Sequence, residues 1–255
     1  MTIACWALHY GKEYLAWSVR SVQDAVDELH FFYTRDPSYG KASELLCPDT
    51  EEELLREAHR FATKPVVWHR IEAHAEHVHR MQMHAEAERI GAEQYLVVDA
   101  DEVWCEGVVA RALSGVKSEN RAGRWMANFA NFWRSFNWRV LDQFTPIRIV
   151  DLRHPLTLDA SLPADLQPKP VLHFGYAQSR RTMQYKMSVH GHHEEFRQNY
   201  LDTLFFPWRP GSSLRFVHPC VYTIWEEPVR TSEDLIEEQR RVLGDHPYAG
   251  LELIE

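Results

Sequence analysis

The run Tyr95-Leu96-Val97-Val98-Asp99-Ala100-Asp101-Glu102 sets an apolar, β-branched stretch directly before three carboxylates in four residues. Carboxylates this close repel one another unless a cation lies among them. At the carboxyl end of a parallel strand, where open α/β sheets bind ligands, such a cluster suits a hard divalent ion, Mn²⁺ or Mg²⁺, bridging to phosphate oxygens. The plainer alternative is an acidic turn that closes a strand, since Asp-x-Asp is common by itself.

Other chemistry-bearing residues are scattered more widely. Fifteen histidines invite a search for zinc spacing. His74 and His77 stand one helical turn apart, while His84 is about 10.5 Å further along a helix from His77, too far to share an ion. These read as helix-surface histidines. The segment His190-Gly191-His192-His193-Glu194-Glu195 is denser and reads either as a loop near a diphosphate or as a polar loop. Cys5, Cys47, Cys105 and Cys220 form no Cys-x-x-Cys pair, so neither a zinc ribbon nor a disulfide framework is expected, only ordinary buried thiols.

The elements that must position these groups alternate along the first hundred residues, the mark of an α/β unit with a largely parallel sheet. Thr2–Leu8 is a first strand. Leu15, Val19, Val22 and Val26 recur at helical spacing after Gly11, and Leu29–Tyr33 is a second strand. Thr50 with Glu53 forms a capping box ahead of Leu54, Ala58 and Phe61. Pro65–Trp68 is a third strand, and a helix from about His74 to Ile90 is expected to bury Val78, Met81 and Ala85. Gln94–Val98 is the fourth strand and delivers Asp99. From Trp125 the pattern turns to shorter, aromatic-rich elements, including a strand over Ile147–Leu152. Pro155, Pro163, Pro168 and Pro170 then favour a loop before Val171.

The chain has 255 residues, 45% hydrophobic and 25% charged, the balance of a globular protein with a full core. No apolar run reaches the length of a membrane span and no signal peptide is evident, so a cytoplasmic protein, in a host cytoplasm if viral, is expected. The net charge of −9 disfavours a generic nucleic-acid binder. Residues 121–186 nevertheless hold ten Lys/Arg against four Asp, a net of +6 inside an acidic body. Arg124, Arg134, Arg139 and Arg148 are interleaved there with Trp125, Phe129, Phe132, Trp133, Phe136, Trp138 and Phe144. Such a mixture suits stacking on bases or sugar rings beside phosphates, unless it is core aromatics with clustered surface charges.

Several of these motifs occur in an order that resembles the GT-A-fold glycosyltransferases of the family 2 type, whose nucleotide-sugar domain ends its fourth strand in Asp-x-Asp. His9-Tyr10-Gly11-Lys12-Glu13-Tyr14-Leu15 resembles that family's opening strand and the turn into its first helix. Val26-Asp27-Glu28-Leu29 resembles the entry to the second strand, and Thr34-Arg35-Asp36 its nucleotide end. Val171-Leu172-His173-Phe174-Gly175-Tyr176, with Lys186 beyond, resembles the block that follows the catalytic core. The likeness covers about residues 1–190.

The resemblance implies an α/β fold with a GT-A-type (Rossmann-like), mostly parallel central sheet flanked by helices and an α+β acceptor-side portion. One domain spans 1–255, with a nucleotide-sugar half at 1–104 and an acceptor half at 105–255. The donor would be a nucleoside diphosphate sugar, most simply a UDP-sugar, contacted by His9, Tyr10, Glu13, Asp36, Arg80, Asp99 and Lys186. Asp99, Asp101 and His173 would surround the ion. Arg80-Met81-Gln82 departs from the family's Arg-Asn pair, which leaves the role of Arg80 open. The general base is drawn from Asp142, Asp151, Asp159 and Asp165, with Asp159 chosen and Asp151 beside it. Arg134, Trp133 and Trp138 are expected on the acceptor side, the acceptor being a saccharide or a hydroxymethylated base in viral DNA. No obligate protein partner is expected. Two alternatives remain: a nucleotidyltransferase, which would want a Gly-rich loop after the first strand, and a non-catalytic nucleotide-sugar-binding module.

Overall fold

The computed structural model describes all residues except 38–42, 74, 120–122, 192, 213, 215 and 224. His74, His192 and Arg121 therefore lie outside the described residues.

Alternation of side chains in the first strand, β1 (Thr2–Leu8), already fixes two layers. Ile3 and Cys5 face one apolar cluster, whereas Ala4, Trp6 and Leu8 face another. Helix α1 (Lys12–Val22) follows, then β2 (Glu28–Tyr33), α2 (Glu51–Arg60), β3 (Val66–Arg70), α3 (Glu76–Arg89) and β4 (Gln94–Val98). The Thr50/Glu53 capping box at the start of α2 is formed on both sides. Beyond it come β5 (Glu102–Val103), α4 (Val108–Ser118), β6 (Arg124–Met126), β7 (Phe129–Trp133), β8 (Trp138–Val140), β9 (Ile147–Asp151) and β10 (Asp159–Ser161). The chain ends with β11 (Val171–Tyr176), α5 (Arg180–Val189), β12 (Val229–Arg230) and α6 (Glu233–Leu243).

Seven strands form the main sheet in the order β10-β6-β9-β4-β1-β2-β3. Only β9 runs against its neighbours. The result is a mixed α/β, Rossmann-like architecture. Side chains of α1, α2 and α4 pack in the cluster on one face, and those of α3 on the other. A smaller sheet, β12-β8-β7-β11-β5, joins the first face. The two sheets interleave along the chain: β6, β9 and β10, beyond residue 104, complete the main sheet, while β5, before it, belongs to the smaller one.

Helix α3 corrects one expectation. Its buried positions are His79, Met83 and Ala87, and Met81 is 65% exposed. The apolar count misplaced this face because a histidine occupies a core position.

Candidate functional site

The parallel strands β1 and β4 end side by side, and their carboxyl ends open onto a cavity of about 260 Å³. It is lined by His9, Tyr10 and Gly11 from the β1–α1 turn, Arg80 from α3, Asp99 and Asp101 after β4, and His173, Gln178 and Lys186 from the β11–α5 unit. Gly11 is required here: its φ is 129°, and a Cβ at that position would stand 2.5 Å from the Ala100 Cβ. Gly175 is likewise required, since a Cβ there would meet the His173 ring at 2.7 Å and the Lys186 Nζ at 3.1 Å.

The three carboxylates behave differently. Arg80 donates to Asp99 Oδ1 at 3.3 Å and Arg148 to Asp99 Oδ2 at 2.7 Å. Burial opposes ionisation of Asp99, but Arg148 and Arg80 outweigh it and hold the carboxyl well below its usual range. Glu102 is fully buried and accepts a bidentate pair from Arg148. Burial pushes the Glu102 carboxyl up against the pull of Arg148, with Asp99 adding to the rise. Asp101 alone of the three has no arginine partner among the described contacts: Gln178 at 2.8 Å and Lys186 at 3.4 Å both donate to Oδ2.

The other oxygen of Asp101, Oδ1, faces His173 Nε2 across 3.7 Å, beyond hydrogen-bond distance. His173 Nδ1 lies 2.5 Å from Asn131 Oδ1, and Asn131 Nδ2 points to Asp142 Oδ2 at 3.5 Å. With the amide turned that way, Nδ1–H donates to Asn131 and the lone pair of Nε2 is left aimed at Asp101. Burial lowers the His173 pKa despite the pull of Asp101, which favours the neutral ring. A carboxylate oxygen and an imidazole lone pair converging in this way fit a shared divalent ion.

Of the donor-binding residues expected from the sequence, His9, Tyr10, Arg80, Asp99 and Lys186 line this cavity. His9 is held by Tyr185 Oη at 2.6 Å and the Thr34 carbonyl at 3.1 Å. Glu13 does not line it. Its carboxylate accepts from Ser179 N at 3.0 Å, Ser179 Oγ at 2.6 Å, Thr182 Oγ1 at 2.5 Å and Tyr248 Oη at 3.0 Å. Glu13 thus holds Ser179, the N-cap of α5, in place and positions Lys186 indirectly. Asp36 is exposed and off the cavity, where its neighbour Pro37 takes part instead.

Both expected bases are misplaced. Strand register sets Asp151 opposite Gln94, and Asp159 beside Arg124, which itself pairs with Val150. These positions lie where β4 begins, about 16 Å along the strand from Asp99. Asp151 is bound by Arg153 at 2.5 Å and Asp159 by Arg124 at 2.6 Å. The expected acceptor residues are also displaced. Trp133 is wholly buried. Arg134, 1% exposed, donates to the carbonyls of Phe205, Phe206 and Ile254 at 2.7–3.0 Å. Trp138 is tied to Glu252 at 3.0 Å.

Sequence reasoning missed Arg148, Asn131, Gln178 and Tyr185. Arg148 left one signal, an arginine inside the otherwise apolar strand Ile147–Asp151. The other three act through contacts over 42 to 176 residues of chain, which leave no local pattern.

No protein-family model and no curated protein matches the chain. Among solved structures it is similar to one described as the crystal structure of 4-diphosphocytidyl-2C-methyl-D-erythritol synthase. Identity is 16%, with 72% of this chain and 96% of that chain covered and a TM-score of 0.36. The likeness is too loose to carry chemistry across.

Proposed function

We propose that this chain transfers a sugar from a nucleoside diphosphate sugar to an acceptor hydroxyl. The observation that carries the reading is the convergence of Asp101 Oδ1 and His173 Nε2 beside Lys186 and Arg80 at the carboxyl edge of the sheet. That set of charges matches a diphosphate with its divalent ion. It also agrees with the resemblance to family 2 GT-A enzymes, in which Asp-x-Asp closes the fourth strand.

In this reading Asp101 and His173 hold Mn²⁺ or Mg²⁺, which when bound supplies neutralisation of the departing diphosphate. Lys186, anchored on the Gly175 carbonyl at 2.9 Å, adds a fixed positive charge on the same side. Arg80 and Arg148 keep Asp99 ionised, and Arg148 also steadies Glu102 beneath the site. His9 and Tyr10 flank the nucleotide, a UDP-sugar being the simplest donor. The acceptor oxygen bonds to the anomeric carbon while the bond from that carbon to the diphosphate oxygen breaks. A carboxylate takes the hydroxyl proton. Asp142 replaces Asp159 and Asp151 in that role, because Asn131 links it to His173 and it lines a second hollow with Phe129 and Arg139.

The aromatic and basic stretch that favoured DNA is largely core, so a saccharide is the better-supported acceptor and a hydroxymethylated base the weaker one. Nucleotidyl transfer is disfavoured by a further contact. The amides of Gly11 and Lys12, where a phosphate loop would open, already donate to Asp49 Oδ2 at 2.6 and 3.0 Å.

The test is an assay of nucleotide sugars with Mn²⁺, offering saccharides and hydroxymethylated DNA in parallel. Asp101→Asn is expected to lower transfer by about 10²–10³-fold with the thermal midpoint retained, the scale of losing one electrostatic stabiliser. Asp142→Asn keeps donor affinity and loses turnover. Full turnover in Asp101→Asn, or in chelated enzyme, overturns the metal assignment. Donor binding with no transfer to any acceptor favours the non-catalytic alternative.

A further inference from the structure

A second group of ligand-type side chains lies on the α3 face of the main sheet, away from the cavity. Register places His30 on β2 beside Val67 on β3, and Phe32 beside His69. Glu28, His30, Phe32 and His69 therefore share one face. Helix α3 crosses that face and brings down Glu86. His30 Nδ1 stands 3.1 Å from His69 Nε2, and His69 Nε2 stands 4.0 Å from Glu86 Oε1. One ligand atom from each of the three residues falls within 4.8 Å of the others.

We infer that His30, His69 and Glu86 form a binding site for a borderline divalent transition ion, for which Zn²⁺ is the natural probe. Two nitrogens and a carboxylate oxygen are the donor set Zn²⁺ prefers over Mg²⁺. Donors on one tetrahedral Zn²⁺, each about 2.0–2.1 Å from it, stand roughly 3.3 Å apart, and the observed spacings bracket that value.

The tautomer of His30 is set for the task. Its Nε2 lies 2.9 Å from Glu28 Oε2, so Nε2–H donates to that carboxylate. In the neutral ring the Nδ1 lone pair is then turned toward His69. A carboxylate behind a ligating histidine fixes its orientation and raises its basicity, as is general in metal centres. Phe32 stacks on His69 at 4.5 Å and holds the second ring. His30 is buried, whereas the His69 and Glu86 side chains keep 21% and 13% exposure, enough for an ion to enter and for water to complete the shell.

Arg89 competes for Glu86, donating to its two oxygens at 2.6 Å each. The arginine side chain is 68% exposed and three residues further along the same helix, so solvent screens this bidentate pair, and each oxygen keeps a lone pair for an ion. An ion held here would staple α3 to β2 and to the edge strand β3. The opposite end of α3 carries Arg80, which reaches Asp99. The inference is independent of the proposed transferase activity.

The experiment uses the tag-free full chain, stripped of metal, in an Asp101→Asn background that removes the cavity ligand. Co²⁺ is the spectroscopic probe and Zn²⁺ the competitor. One equivalent of Co²⁺ is expected to give visible d–d bands that Zn²⁺ displaces, and Zn²⁺ should raise the thermal midpoint. His69→Gln should abolish the bands, and Glu28→Gln should weaken affinity by about 10–100-fold. Circular dichroism checks that His69→Gln folds, and the isosteric Glu86→Gln on helix α3 carries the test if it does not. Absence of bands overturns the site and leaves a plain hydrogen bond between the two imidazoles. Bands that persist unchanged in His69→Gln or Glu86→Gln also overturn it, because the ion is then bound elsewhere.

Discussion

The end of β4 and the stretch from Arg124 to Arg153 are both rich in charge, and they use it in opposite ways. After β4, Asp101 keeps one oxygen turned toward an imidazole lone pair across an open gap. Along the other stretch every cation with a described partner is spent inside the fold: Arg124 on Asp159, Arg134 on three carbonyls, Arg148 on Asp99 and Glu102, and Arg153 on Asp151. Its aromatics largely follow suit: Trp125, Phe132 and Trp133 are fully buried, Phe129 and Trp138 are half-buried, and Phe144 is 69% exposed. Four of the five arginines from Arg124 to Arg153 are therefore already paired within the chain, although they contribute to the +6 of residues 121–186. Charge becomes a binding feature only where partners are lacking, and the partners here come from remote parts of the chain.

The largest expected effect tests the buried half of that contrast. Trp133 packs against Phe205 at 4.8 Å, Tyr176 at 5.8 Å and Trp208 at 6.4 Å between ring centroids. Trp133→Ala should cost about 3–5 kcal/mol of stability, as truncation of a buried aromatic does. Urea unfolding measures it. A variant of undiminished stability but impaired transfer would break the comparison and return Trp133 to the acceptor side.

The same contrast explains what was legible in the sequence. Strand β4 has the bounds its apolar run indicates, and the capping box at Thr50 is formed, because both obey rules spanning a few residues. The cavity residues on β1, β4 and β11 were legible as motifs for the same reason. The α3 face was missed because His79 sits where an apolar residue is normally counted. Asp151 and Asp159 read as general-base candidates from residue type and position along the chain; only the register of β9 and β10 reveals that they lie at the wrong end of the sheet.

A smaller effect concerns His246, which packs between helix α1 and the basic stretch. Its ring stacks on Tyr14 at 4.6 Å and lies 5.5 Å from Phe136 of the basic stretch. The Tyr248 amide donates to Nδ1 at 3.1 Å, so Nε2–H donates to the Glu13 carbonyl at 2.8 Å. The ring is thus fixed as neutral, and burial lowers its pKa from 6.5 to about 4. The unfolded chain binds this proton first as pH falls. The contribution is complete above pH 6.5 and is lost as pH falls toward 4, amounting to roughly 3 kcal/mol across the window. His246→Gln should flatten the acid limb of a plot of thermal midpoint against pH. An unchanged limb would show that other groups govern acid stability and that this junction is not under proton control.

The smallest effect sharpens the comparison from the cavity side. Thr50 Oγ1 accepts from the Glu53 amide at 3.2 Å, and Glu53 Oε2 accepts from the Thr50 amide at 2.9 Å. Glu53 also accepts from Lys12 Nζ at 2.8 Å, next to the turn that brings His9 and Tyr10 to the cavity. Thr50→Ala removes one reciprocal cap bond and should cost about 1 kcal/mol, with donor affinity unchanged because the Lys12 contact survives. The measurement is the urea midpoint together with donor titration. A loss as large as that of Trp133→Ala would mean that local capping, rather than long-range aromatic packing, dominates this fold. The expected severalfold gap places the energetic weight in the contacts that no short sequence window displays.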